Sequence, residues 1–298
     1  MAHATLTDAE HNARRQADRE RLEQAARALL SSEGWQRWMR VRATNGLARY
    51  SLGNQLLIAL QKPEATFVAG FRAFLKLNRC VRKGEKAVRI LAPMTVRQRE
   101  SDETDDDDQR RLVFRAVAVF DISQTDALPG REPLALEPPR EPVSGDSHVR
   151  LLTPLENLAA ELGYSVRHLP LDRGADGWCD NQRMEIVVND QLPANARVRV
   201  LVHELAHALG VGYEQYGRQQ AEVLVDCVTY VVCGSVGLDV SGESVPYVAG
   251  WGEDGALDAI RQYAETIDAI ARRIETAIRE HDENEHGVDQ ADQAPLAA

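Results

Sequence analysis

The most restrictive feature of this chain is the run ARVRVLVHELAHAL at residues 196–209, preceded by Pro193 and followed by Gly210. Proline suits the first turn of a helix and glycine its end, so the run predicts a helix with both boundaries marked. Val198, Val200, Leu201, Val202, Leu205, Ala206, Ala208 and Leu209 make it apolar on nearly every side, as a buried helix is. Yet His203, Glu204 and His207 sit inside it. Burying three such groups without partners is costly. Residues four apart share a helix face, so the two imidazoles can meet one cation. Zinc is the expected ion, since it takes imidazole and carboxylate ligands and lowers the pKa of a coordinated water to about 7. Glu204, one residue on, leans toward such a water and would act as its general base.

A catalytic zinc site needs a third protein ligand. Residues 218–233 predict a helix dominated by Val, Leu, Ala, Tyr and Cys, with Glu222, Asp226 and Thr229 on one stripe. Two carboxylates on one side of a buried helix need a cation or donors. The natural assignment puts Glu222 on the metal and Asp226 on the other nitrogen of His203, which would fix the tautomer of that histidine. Glu214 and Asp190 are weaker alternatives as ligands. HExxH followed by a Glu-x-x-x-Asp helix resembles the Glu-zincin metallopeptidases. That resemblance implies a Tyr or His that stabilises the oxyanion. Tyr213, Tyr216 and Tyr247 are available, and spacing fixes none of them. His148 and His168 read as ordinary surface or strand residues. Cys80, Cys179, Cys227 and Cys233 read as small core residues.

Charge becomes informative only when it is divided along the chain. The whole carries −11, which taken alone argues against nucleic acid. Residues 1–100 hold 19 Lys/Arg against 9 Asp/Glu, net +10, and the remainder carries −21. Residues 34–99 hold 14 basic residues against Glu64 and Glu85 alone. Such asymmetry points to a polyanion partner for the first half. The alternative is a basic face that aids solubility or docks on the acidic half. Arg79, Arg82, Lys83, Lys86 and Arg89 lie in or beside CVRKGEKAVRIL, whose alternation around Lys83-Gly84-Glu85 predicts a hairpin. Arg72 and Lys76 precede it. Trp35, Trp38, Tyr50, Phe67, Phe71 and Phe74 are interleaved with these cations. Rings stack on unpaired bases while cations track phosphates, although most rings are needed inside a small domain. The acidic run at 102–108 reads as a solvated loop.

Further helices are predicted at 6–31, with Thr7 as N-cap and Gly34 as terminator, and at 51–61, 153–162 and 257–278. Strands are predicted at 114–121, 164–169 and 184–189. Five of the twelve prolines fall at 128–147, which is linker composition. The expectation is therefore an α+β chain in parts: a nucleic-acid-binding domain at 1–127, a Pro-rich linker at 128–147, a metallopeptidase domain at 148–250, a C-terminal helix at 251–280 and a polar, disordered tail at 281–298. The stripe Leu257, Ile260, Ala264, Ile267, Ala271, Ile274 and Ile278 must pack on something. No run approaches 18 apolar residues, so no membrane span is expected. The first thirty residues lack an apolar signal region, and the cysteines show no paired spacing. Both point to a reducing, cytoplasmic setting.

The run YSLGNQLLIALQKPEATFVAGFRAFLKLNRCVRKGEKAVRILAP, followed by VFRAVAVFDISQTD, resembles the N-terminal domain of the ArdC antirestriction family across residues 10–127. HELAH with Glu222 and Asp226 is similar to the metallopeptidase-like domain that ends those proteins. The resemblance implies single-stranded DNA binding by the first domain, protection of incoming plasmid DNA from restriction, and a zinc-peptidase-like second domain. Arg72, Lys76, Arg79, Arg82, Lys83, Lys86 and Arg89 are the residues expected to meet DNA. Phe74, Asn78 and Ala87 stand where that family is expected to carry Trp, Gly and Gly. The second half is also similar to the ImmA/IrrE group, which cleave DNA-binding repressors. Three functions remain open: a DNA-directed metallopeptidase acting on a protein or peptide, a non-catalytic shield that coats DNA, and a proteolytic regulator whose basic face docks a protein.

Overall fold

The computed structural model describes residues 8–44, 47–97, 110–133, 141–171, 174–239 and 257–285. Thr7, Tyr247, the acidic run at 102–108 and the tail from 286 lie outside the described residues. The first half runs α1 (Asp8–Ala28), α2 (Ser32–Arg42), α3 (Leu52–Gln61), β1 (Val68–Ala69), α4 (Phe71–Lys76), β2 (Arg79–Val81), β3 (Val88–Arg97), β4 (Arg110–Asp121) and β5 (Thr125–Ala127). The second runs β6 (Glu141–Pro142), α5 (Leu152–Glu161), β7 (Ser165–Leu169), β8 (Gly177–Asp180), β9 (Glu185–Asn189), α6 (Ala194–Ala208), α7 (Tyr213–Tyr216), α8 (Arg218–Ser235), β10 (Leu238–Asp239) and α9 (Leu257–Glu285). The α+β class is as expected.

Two local expectations change. Gly34 does not end a helix. It lies in the first turn of α2, where its N–H donates to the Ser31 cap at 3.0 Å. A Cβ there would fall 1.9 Å from the Ala28 carbonyl oxygen, so glycine is what allows the end of α1 and the start of α2 to approach. The expected hairpin around Lys83-Gly84-Glu85 is also absent. β2 pairs with β5, Cys80 opposite Asp126, whereas β3 pairs with β4, Val88 opposite Val119. The turn after β2 thus joins strands of two different sheets, β2–β5 and β1–β4–β3. Local alternation marks a strand but not its partner. Asn78, in the turn before β2, has φ 58°, and its side chain donates to the Glu132 carbonyl at 2.8 Å. Asparagine tolerates this left-handed backbone better than other side-chain-bearing residues, which explains how it stands where glycine was expected.

In the second half β7 and β9 are parallel, and β8, which the sequence did not reveal, pairs antiparallel on the other side of β9. α6 packs against this sheet and against α8. The stripe of α9 is buried at Ile260, Ala264, Ile267, Ala271, Ile274 and Ile278, against α5 and α8. Trp35, Trp38 and Ile58 from the first half share one continuous apolar core with Leu201, Val228 and Ile267 from the second. Within the Pro-rich stretch, Glu141 and Pro142 form a parallel pair with Leu238 and Asp239.

The two halves are also joined by charge. Arg42, fully buried, donates to Asp268 at 2.6 Å and bidentately to Glu275 at 2.9 and 2.8 Å. Asp268 accepts in addition from Gln55 at 3.0 Å and Arg272 at 2.8 Å, and the Gln55 amide oxygen accepts from the Trp38 indole. Among the described residues, no helix is long and apolar enough to cross a membrane.

Candidate metal centre and basic face

Because α6 and α8 lie side by side, His203 and His207 meet Glu222. One ligand atom from each lies within 4.8 Å of the other two. His203 Nε2 stands 3.4 Å from Glu222 Oε2, and His207 Nε2 stands 3.9 Å from Glu222 Oε1. Two donors on one tetrahedral zinc lie about 3.4 Å apart, so both separations are close to those of residues that share an ion. His207 donates from Nδ1 to the Val211 carbonyl at 2.8 Å, which leaves the Nε2 lone pair for a cation. His203 turns Nδ1 to Asp226 at 3.4 Å. Two imidazoles and a carboxylate, with both tautomers set from behind, are a donor set that fits a divalent ion. Glu214 and Asp190 are not part of it.

The groups perturb one another strongly. Burial alone would lower the His203 pKa, but Asp226, Glu204 and Glu222 outweigh it and hold that imidazole above its ordinary value. Burial lowers the His207 pKa, and the neighbouring His203 adds to the effect against the Val211 hydrogen bond. Glu204 is only 7% exposed. Burial raises its pKa to about 7, with Glu222 adding to the rise and His203 opposing it. β8 passes directly over this carboxylate at Gly177. A Cβ there would come within 2.5 Å of Val200 and 2.8 Å of the Val187 carbonyl, with Glu204 Oε1 at 3.4 Å. Cys179, further along β8, has its thiol pushed up to about 12 by burial and by Glu204.

Of the three tyrosines the sequence left open, Tyr213 stands at the trio. Its hydroxyl donates to Glu222, and its ring packs edge-on against His207 with centroids 5.4 Å apart. Burial and the Glu222 contact push its pKa up to about 12. Tyr216 packs on Tyr263 instead. The three-residue span 211–213, which both orients His207 and delivers the hydroxyl, carried no signal beyond Gly210 and Gly212 that could have singled it out.

The seven basic residues separate into two kinds. Arg72 and Lys76 on α4, Lys83 and Lys86 in the turn after β2, and Arg89 on β3 are exposed. Arg79 is 6% exposed and donates to Thr125 Oγ1 at 2.7 Å and to the Thr125 carbonyl at 3.2 Å. It fastens β2 to β5 and offers no face to a phosphate, so the expectation of DNA contact there is withdrawn. Arg82 is committed to Glu85 at 2.9 Å and Asp126 at 3.2 Å, although its side chain stays 41% exposed. Trp35, Trp38 and Phe74 are wholly buried, whereas Phe71, beside Arg72, is 47% exposed and Phe114 on β4 is 61% exposed.

Residues 20–120 match the N-terminal domain of anti-restriction factor ArdC. An uncharacterized protein of Bacillus anthracis is 27% identical over 286 aligned residues, covering 80% of this chain and 48% of that protein, so the chain spans about half the length of that relative. The crystal structure of metal-free antirestriction protein ArdC from plasmid R388 superposes with a TM-score of 0.52 at 19% identity, covering 88% of this chain and 97% of that one. Its Mn(II)-bound form aligns with a TM-score of 0.47 at 18% identity. With a matched N-terminal domain and a fold shared along most of its length, the chain is ArdC-like.

Proposed function

We propose that this chain couples a zinc-dependent peptidase site to a half that binds single-stranded DNA, in an antirestriction role. The observation that carries the reading is the convergence of His203, His207 and Glu222 beside a buried general base. A zinc ion held by those three residues would supply Lewis acidity at a peptide carbonyl and make a water a nucleophile near neutral pH. Glu204 would take the proton of that water and return it to the leaving nitrogen, a task suited to a carboxylate poised near pH 7. Asp226 and Val211 hold the imidazoles by their far nitrogens. Tyr213, whose hydroxyl stands at the trio, would stabilise the developing oxyanion. On the other half, exposed Arg72, Lys76, Lys83, Lys86 and Arg89 would track phosphates, with the ring of Phe71 free to stack on a base.

Elemental analysis tests the metal set. The wild type should carry zinc, and His203→Ala and Glu222→Ala should each lose it. Full occupancy in Glu222→Ala removes the third ligand. Glu204→Gln should keep the ion and the DNA affinity while abolishing hydrolysis of a peptide library. If antirestriction in cells survives Glu204→Gln, a DNA-coating shield replaces the peptidase reading. Lys83→Ala with Lys86→Ala should flatten the log–log salt dependence of single-strand affinity by about 1.4, at about 0.7 per lost phosphate contact.

A further inference from the structure

A cavity of about 680 Å³ opens where the first half meets α9 and the start of α5. Its volume lies in the range of small-molecule sites. Arg49, Arg150, Arg272 and Arg279 line it, against Glu275 and Asp282. The charges do not cancel. Glu275 is consumed by the bidentate Arg42, and Arg272 by Asp268. Arg150 meets Asp282 at 3.1 Å across an exposed pair, which water screens. Arg279 has a loose contact with Glu283 at 3.8 Å and donates to the Thr276 hydroxyl at 3.4 Å, so its charge is weakly countered. Arg49 has no carboxylate partner among the described residues. It donates to the Val68 carbonyl at 2.6 Å and lies over the Phe67 ring at 4.6 Å. Phe67 in turn packs on Phe74 of α4, the helix that carries Arg72 and Lys76. The cavity therefore holds surplus guanidinium charge in a concave wall, where field lines are focused. Through Phe67 and Phe74, Arg49 is linked to α4, which carries two residues of the exposed basic set.

We propose that this cavity is a phosphate site, in which Arg49, Arg150 and Arg279 receive a phosphate of a nucleotide. The planar fork of arginine matches phosphate oxygens in pairs, which a lysine cannot do. The phosphate comes either from a single strand that crosses from the basic face or from a free nucleotide. Only the first source rests on the DNA reading proposed above.

The test uses the full chain, Arg150→Ala with Arg279→Ala, and Ala48→Glu, which places a carboxylate in the same wall while keeping every arginine. Circular dichroism and zinc content at the distant trio confirm folding of both. The probes are a labelled oligodeoxythymidylate of about 20 nucleotides and thymidine monophosphate. Each variant should weaken the oligonucleotide about tenfold at low salt, and the double alanine should lower the salt slope by about 1.4. Wild-type affinity and slope in both variants, with the Lys83/Lys86 variant impaired, overturns the cavity and leaves the DNA reading standing. Binding of the mononucleotide alone, lost in both variants, sustains the cavity and removes the strand. Binding of neither probe by the wild type removes both.

Discussion

Glu204 sits in an environment that opposes its charge, and the metal-free protein should show it. An unfolded glutamate titrates near 4.3, while burial holds the folded one up at about 7. Below the lower value both states are protonated and stability is complete. Between the two the native state keeps a proton that the unfolded chain has released, so stability falls as pH rises, and above about 7 the loss is constant. Glu204→Gln removes this titration. In urea melts of chelator-treated protein, the variant should gain on the wild type from pH 5 to pH 8, by at most about 3 kcal/mol. A gain that does not change with pH would show that the carboxyl is not buried as described. The four-residue spacing of the histidines and the apolar sequence around them made this site legible before the fold. Tyr213 was not legible in the same way. A three-residue excursion after Gly210 brings it to Glu222, and nothing periodic records that. Arg79 shows the converse. In sequence it is one more cation of a basic run, and only the pairing of β2 with β5 reveals that it is buried.

At the scale of elements, periodicity located most helices and strands but could not pair them. The turn after β2 looks like a hairpin because apolar and basic residues alternate on both sides of Gly84. The long β4 wins β3, matching it over ten residues. That choice leaves β3 with a free edge, where its outward N–H and C=O groups invite another strand. α3 covers it. Asn54 donates to the Leu91 carbonyl at 2.8 Å and accepts from the Leu91 N–H at 2.9 Å. Gln61, seven residues and two turns along the same face, does the same for Arg89 at 2.9 and 3.0 Å. Two side-chain amides thus complete a ladder in place of a strand. Asn54→Ala should cost about 1–3 kcal/mol, since it leaves a half-buried backbone pair unmade. Asn54→Asp should cost more, because it sets a carboxylate against a carbonyl oxygen. Equal stability of Asn54→Asp and wild type in urea melts would refute this role.

On the scale of the whole molecule, the Pro-rich stretch at 128–147 suggested two bodies and a tether, yet α2 and α3 share a core with α6, α8 and α9. Composition records how a segment solvates itself, not what its flanks bury against. Arg42 is the sharpest case. It belongs to a run read as a basic surface, but it lies wholly inside, between Asp268 and Glu275 of α9, more than two hundred residues away. Removing one partner of such a group strands the others in low dielectric, which typically costs about 3–5 kcal/mol. Arg42→Met should therefore destabilise the chain by that order, and Arg42→Met with Glu275→Gln by less, because fewer unpaired charges remain. Since the network spans both halves, the loss should be felt on each side of the Pro-rich stretch. Native-state hydrogen exchange would report it: in Arg42→Met the slowest amides of α3 and of α6 should lose protection by the same amount. If α6 keeps wild-type protection while α3 opens, the halves unfold as separate units, and the buried charge network is a local clasp rather than the joint that makes the metal centre and the basic face one cooperative structure.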